Sequence, residues 1–252
     1  MIKRPLLADD DLASLERATL DAVAPPEIQE VTDWLIPLDR STIGRAKSAV
    51  PLRHQGLNAD ALDGIEAAYH DWGIEAQFRV ADVLGLGPIH QRLRVMRYAP
   101  DQPTLVQVGT VSALLALPPS VCAAVDTHPN ARWASVYTAP GFDSVDGAHR
   151  VKALSRSAHV VYAAVHSDDQ ALAAGTASFS RGWASIHGMR TVTAARGQGL
   201  ASQILRGLAA VAIQKGLERV FLQVEENNTA ALALYARAGF QTVWRYHYWR
   251  EI

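Results

Sequence analysis

The chain has 252 residues, 24 Lys and Arg against 25 Asp and Glu, and 49% apolar side chains. That balance is enough to build a core and leaves no polyelectrolyte tail or basic stripe, which argues against nucleic acid as the main partner. The single cysteine, Cys122, excludes an internal disulfide framework and a cysteine metal cluster, and its place before apolar Ala123 to Val125 reads as a buried structural thiol.

In chain order, LASLERATLDAV reads as a helix and DWLIPLD as a strand. After a glycine-containing stretch around Gly56, AQFRVAD, PIHQRLRVM and RYAPDQPTLVQVG read as strand, helix and strand. The opening MIKRPLLADDD has no apolar run behind its charges, and VSALLALPPSV is short and broken by Pro118 and Pro119. Neither a signal peptide nor a membrane span is expected, and the setting is read as cytoplasmic. HVVYAAVHS and ALAAGTASFS then form two strands with a turn at Asp168 and Asp169, and WASIHGMRTV forms a third. Leu200, Ile204, Leu208 and Val211 recur at helical spacing up to Gly216, which suits a left-handed helix stop. RVFLQVE, TAALALYARAG and FQTVWRYHYW complete the order as strand, helix and strand.

The two halves are related. Set against the residue 143 positions later, Arg53, Gln55, Gly56, Leu57, Leu62, Gly64, Ala67, Gly73, Glu75 and Phe78 each meet an identical residue, 10 of the 26 positions from 53 to 78. Two units follow, 1–115 and 116–252, joined near LLALPPSV. The first is the shorter before its matching region. Its glycine stretch carries Asn58 and Asp60, and an acid there suits a bare helix start better than a bound phosphate.

In the second unit RGQGLA, Arg196 to Ala201, stands where a helix begins. Unpaired backbone N–H groups and the helix dipole make such an end attractive to anions, and glycine lets a ligand approach. Neither GxxxxGK[ST] nor GxGxxG is present, so a P-loop or a dinucleotide-binding unit is not supported.

MRTVTAARGQGLASQIL followed by FLQVEENNTAALALYARAGF resembles the GNAT superfamily of acyl-CoA-dependent N-acetyltransferases. The fixed positions Asn228, Ala231, Leu234, Tyr235, Gly239 and Phe240 of its second motif are all present. The resemblance covers residues 120 to 252, and the repeat extends it to the first half as a tandem protein with one degenerate copy. It implies an α/β fold with a mixed sheet, two GNAT-like units, acetyl-CoA as cosubstrate, no metal, and a primary amine acceptor such as a small molecule or amino acid. It also implies direct transfer, without a covalent enzyme intermediate.

Carried over by position, Arg196, Gly197, Gln198, Gly199, Leu200 and Ala201 would hold the CoA pyrophosphate. Met189, Arg190 and Thr191 would lie along the pantetheine arm, and Asn228 would contact the cofactor. Tyr235 would protonate the departing thiolate. In the RimI-like branch a glutamate stands five residues before the asparagine and takes the amine proton. Here that position is Gln223, which cannot accept one, so Glu225, on the same strand face, is the nearest carboxylate for the role. His187 and His247 are further titratable candidates. Trp244, Tyr246 and Tyr248 read as covering one sheet face, with an acceptor pocket as the second reading. A non-catalytic acyl-CoA sensor and a protein N-terminal acetyltransferase remain alternatives, and the oligomeric state stays open.

Overall fold

The computed structural model describes Leu7 and residues 10–167 and 170–252. The turn expected at Asp168 and Asp169 lies outside the described residues.

The first half runs α1 (Asp11–Val23), β1 (Glu27–Val31), β2 (Trp34–Leu38), β3 (Val50–Pro51), α2 (Ala61–Asp71), β4 (Phe78–Ala81), α3 (Gly87–Val95), β5 (Tyr98–Thr110) and α4 (Val111–Leu115). The second half continues with β6 (Ala124–Asp126), α5 (Ala131–Ser135), α6 (Ser144–Leu154), β7 (Val160–Ser167), β8 (Gln170–Ser180), β9 (Trp183–Thr191), α7 (Leu200–Gln214), β10 (Arg219–Glu225), α8 (Thr229–Arg237) and β11 (Gln241–Glu251). The elements read from the sequence are all present. Those it did not mark are β1, whose five residues EIQEV are all exposed and carry no apolar alternation, and the short elements β3, β6, α4 and α5, together with α6.

Strands β1, β2 and β3 form a small antiparallel sheet, and eight others form one sheet in the order β4-β11-β5-β10-β9-β8-β7-β6. Only β9 and β10 are parallel neighbours within the larger sheet. Strand β5, from the first half of the chain, sits between β10 and β11, so the sheet is continuous across residue 115. The repeat explains this arrangement. Moving Tyr98 and Val108 forward by 143 positions gives Gln241 and Glu251, and the ladder pairs Tyr98 with Glu251 and Val108 with Gln241. Strands β5 and β11 are therefore repeat mates facing each other across a local two-fold, flanked by the mates β10 and β4.

Each face of the sheet has its own core. Helix α7 buries Leu200, Ile204, Leu205, Leu208 and Ala212 against Ala184, Ile186, Leu222 and Val224. At about 1.5–3 kcal/mol for each buried aliphatic side chain, that stripe is a main source of the second unit's stability. On the other face Trp183 and Phe221 join Leu15 and Ala18 of α1 and the core of the first half, including Phe78, Tyr246 and Trp249. A buried ion pair, Arg79 to Glu16 at 2.6 Å, ties β4 to α1 within this second layer. Cys122 is exposed, contrary to the buried thiol expected, because it lies in the open connection ahead of β6. Among the described residues no helix is long and apolar enough to cross a membrane.

Candidate active site

The parallel ladder between β9 and β10 joins Ala184 to Val220, Ser185 to Phe221 and Ile186 to Leu222, and then stops. Beyond it β9 runs on to Thr191 and β10 to Glu225 without pairing to each other, so the two strands part. A bulge in β9 accompanies the parting: Arg190 pairs with Ala174 and His187 with Thr176, which leaves Gly188 and Met189 opposite Gly175 alone. Such a bulge takes backbone groups out of the ladder and leaves them for another partner. It is held by the Tyr137 hydroxyl, which donates to the Gly188 carbonyl at 2.7 Å. Gly188 has φ +62°, and a Cβ there would come within 2.7 Å of Leu154 and Tyr137.

The gap opens into a cavity on each side. One, about 670 Å³, is bounded by the end of β9, the loop before α7 and the face of α8. It contains Met189, Arg190, Thr191, Arg196, Gly197, Gly199, Leu200, Ala201 and Asn228, nine of the ten positions assigned to the cofactor. Gln198 is the exception. Gly197 and Gly199 both have φ +77°, and a Cβ on either would meet nothing within 4 Å. Their glycine character thus serves backbone conformation and leaves the approach to α7 open. Helix α7 has no acidic residue in its first turn and no side-chain cap. Arg190, Arg196 and Arg237 line the same cavity, and among the described residues no carboxylate does. Backbone N–H groups at a helix start together with cations are chemically suited to an anion.

The second cavity, about 370 Å³, lies on the other side of the gap. It is walled by β9, β10, Gln102 and Thr104 of β5, Tyr246, Tyr248 and Arg250 of β11, and residues 42–45 and 47 from the first unit. Met189, Arg190, Asn228, Ala231 and Tyr235 border both cavities. Tyr235 is 6% exposed, and burial pushes its phenol up to about 12, with the positive charge of Arg45 opposing the shift. It is therefore protonated throughout the neutral range.

A scan against family models matches residues 10–249 to the family described as "Probable histone acetyltransferase Rv0428c C-terminal". The chain belongs to this family. It is a member of the GNAT superfamily, and among solved structures it resembles a GCN5-related N-acetyltransferase from Kribbella flavida, with a TM-score of 0.71 over 97% of this chain and 96% of that one at 13% identity. A tandem GNAT protein from the clavulanic acid biosynthesis pathway gives 0.62 over 96% of each chain at 15% identity, a likeness of fold. Among curated proteins, an uncharacterized N-acetyltransferase YobR of Bacillus subtilis is 37% identical over 82 residues, 32% of this chain. A mycothiol acetyltransferase of Salinispora tropica is 53% identical over 47 residues, 18% of this chain. These matched stretches span only 33% and 15% of the two relatives' lengths.

In this GNAT chain Asn228 is first of all a cap: its Oδ1 accepts from the Ala231 N–H at 3.1 Å, which starts α8 and turns Tyr235 toward the gap. Glu225 borders the second cavity and accepts from Gln102 Nε2 at 2.7 Å. Gln223 is locked by two hydroxyls, donating to Thr19 Oγ1 at 3.0 Å and accepting from Tyr246 at 2.9 Å. His187 is buried against Phe221 with neither ring nitrogen hydrogen-bonded, and burial holds it well below the usual histidine range. His247 does not border either cavity. Tyr246 and Tyr248 cover a sheet face as expected and also line the second cavity, whereas Trp244 packs edge-on against His54 at 5.2 Å. Arg45 and Lys47 were missed by sequence reasoning. They lie in the first unit and reach the cavity through long-range docking that no local pattern announces.

Among the described residues no group of three or more His, Cys, Asp or Glu side chains is placed to hold a metal.

Proposed function

We propose that the chain transfers an acetyl group from acetyl-CoA to the primary amine of a small molecule, directly, with both substrates bound at once. The observation that carries this reading is Tyr235, set at the junction of two cavities that meet at the parting of β9 and β10. One cavity is dressed for a pyrophosphate and an extended arm, the other for an acceptor. Acetyl-CoA, when bound, supplies the activated thioester. The chain's own contribution is to hold the phosphates at Arg196 to Ala201, to present backbone donors at the β9 bulge where negative charge develops, and to give the Tyr235 proton to the leaving sulfur.

The family's description names a histone, but the second cavity is small and partly enclosed, which supports a small acceptor over a protein tail. Glu225 takes the amine proton directly or through water in this reading, since the Gln223 amide is already engaged. Residues 116–252 form the catalytic unit, and the first unit closes the acceptor side. An exposed, unpaired Cys122 supports a reducing cytoplasmic setting.

The test is a calorimetric titration of acetyl-CoA into the wild type and into Gly199→Glu, which adds bulk and negative charge at the start of α7. Binding by the wild type that the variant loses is expected. Equal binding by the two, or none by the wild type, overturns the cofactor assignment.

A further inference from the structure

The acceptor cavity holds more positive charge than its own carboxylates balance. Among the described residues five cationic side chains line it, Arg45, Lys47, Arg150, Arg190 and Arg250, against the single carboxylate of Glu225. Three are already paired: Arg150 and Arg190 with Asp146, each at 2.7 Å, and Arg250 with Asp101. Arg45 and Lys47 make no ion pair among the described residues, and Arg45 Nε is buried without a hydrogen-bond partner. The acid whose field reaches Arg45 is Glu16, and that carboxylate is spent on Arg79 at 2.6 Å.

The position of Arg45 is built. Residues 44–46 form a short turn fixed by buried Ile43 and Ala46 and by Ser48 Oγ donating to the Gly44 carbonyl at 2.8 Å. Thr42 ties the turn to the second unit, its hydroxyl donating to Asp146 at 3.0 Å and its N–H to His149 Nδ1 at 3.2 Å. Gly44 lies flat on the Tyr248 ring, where a Cβ would approach to 2.8 Å. An unpaired guanidinium held this firmly, half-buried, is costly unless something fills its donors. Arg45 and Lys47 do not serve the cofactor cradle, for they line only the second cavity, and the cradle has its own Arg196 and Arg237.

We infer that Arg45 and Lys47 of the first unit hold an oxyanion of the acceptor, so that the enzyme acetylates small amines carrying a carboxylate. This rests on the acetyl-transfer reading above and names its substrate class. A planar guanidinium matches a carboxylate in two parallel hydrogen bonds, and a lysine adds a point charge beside it. The same cations disfavour an ammonium nearby, which helps supply the neutral amine that attack requires. A basic protein tail would meet like charge in this cavity.

The experiment compares glutamate, glycine, glycinamide, O-phosphoethanolamine, spermidine and a lysine-rich histone-tail peptide as acceptors at saturating acetyl-CoA. It uses the wild type, Arg45→Gln and Lys47→Gln, with acetyl-CoA binding to each variant measured by calorimetry. Binding of the same amines to the CoA-loaded protein is followed by thermal shift. The carboxylate-bearing amines are expected to exceed glycinamide and the cationic acceptors in kcat/KM by about tenfold or more, as for one charge-assisted hydrogen-bonded pair. Arg45→Gln should raise the KM of the carboxylate amines by a similar factor and leave acetyl-CoA affinity unchanged. Preference for O-phosphoethanolamine would assign the site to a phosphate and overturn the carboxylate. Equal or better use of spermidine or the histone peptide, or a preference that survives Arg45→Gln, overturns the inference while leaving acetyl transfer standing. If no amine is acetylated, the transfer reading fails, and the inference is then decided by whether glutamate stabilises the CoA-loaded wild type and not Arg45→Gln.

Discussion

The Tyr246 hydroxyl donates to Gln223 Oε1 at 2.9 Å, and Gln223 in turn donates through Nε2 to Thr19 at 3.0 Å. The position where a related branch places a base is therefore a structural clasp between β11, β10 and α1. Thr19 already donates its own proton to the Leu15 carbonyl at 3.0 Å, so it needs a donor opposite and cannot serve a carboxylate. Gln223→Glu is expected to lose about 1–3 kcal/mol of stability, the cost of leaving a buried polar group unmatched. It should not raise turnover. Urea unfolding and steady-state rates check this together, and a faster enzyme of unchanged stability would mean that the position is a vacant base site.

Tyr235→Phe removes only the hydroxyl, since the ring packs on Phe240 at 5.7 Å and stays buried. Loss of a positioned proton donor typically costs about 10²–10⁴ in rate, so kcat should fall by that order with acetyl-CoA affinity nearly unchanged. Because burial pushes this phenol up to about 12, no descending limb from Tyr235 should appear in the wild-type pH profile below about pH 10. An unchanged kcat in the variant would remove the hydroxyl from the chemistry.

What could be read beforehand follows the range of the interactions. RGQGLA and the following helix were legible because glycine conformation, an uncapped helix start and a periodic apolar stripe are local properties, and Gly197, Gly199 and α7 are found as expected. The motif around Tyr235 was legible for the same reason. Arg45 was not, because its place at the second cavity depends on Thr42 meeting Asp146 and His149, residues 104 and 107 positions away in the chain. Nor does spacing reveal that β5 enters the sheet between β10 and β11; only the symmetry of the repeat, combined with strand pairing, makes that insertion intelligible. The buried reading of Cys122 followed its apolar neighbours, and it failed because that segment is an exposed connection and not a strand.

Buried His187 and half-buried His54 contribute to the loss of stability in acid, beside His90 and His247, which burial also lowers. His187 stays well below the usual histidine range through burial, with the charge of Arg45 adding to the effect, and His54 is lowered to about 4 by burial beside Trp244. In the unfolded chain both bind a proton near pH 6.5, while the folded protein refuses it, so stability is lost as pH falls below that value. The slope between folded and unfolded pKa is at most about 1.4 kcal/mol per pH unit for each group. Urea unfolding at pH 7.5, 6.0 and 5.0 should show the decline, and His54→Asn should reduce it. A flat profile over that interval would show that both imidazoles titrate normally.

The first unit should not bind acetyl-CoA. Its counterpart of Asn228, 143 positions earlier, is Gly85, and its counterpart of Tyr235 is Arg92, which pairs with Asp63 at 2.6 Å. A Cβ on Gly85 would lie 2.2 Å from the His54 carbonyl oxygen, so the loop that matches RGQGLA has collapsed onto the residue that would cap the partner helix. Helix α2 also starts only at Ala61, with Asp60 at its N-cap and Asp63 in its first turn, both unfavourable to a phosphate. Calorimetry should give one acetyl-CoA per chain, and Gly199→Glu should abolish all of it. Gly85→Ala should destabilise the protein by about 1–3 kcal/mol, the usual cost of forcing extra volume into a packed contact, with that single binding event retained. A second binding event that survives Gly199→Glu would show that the first cradle is still open.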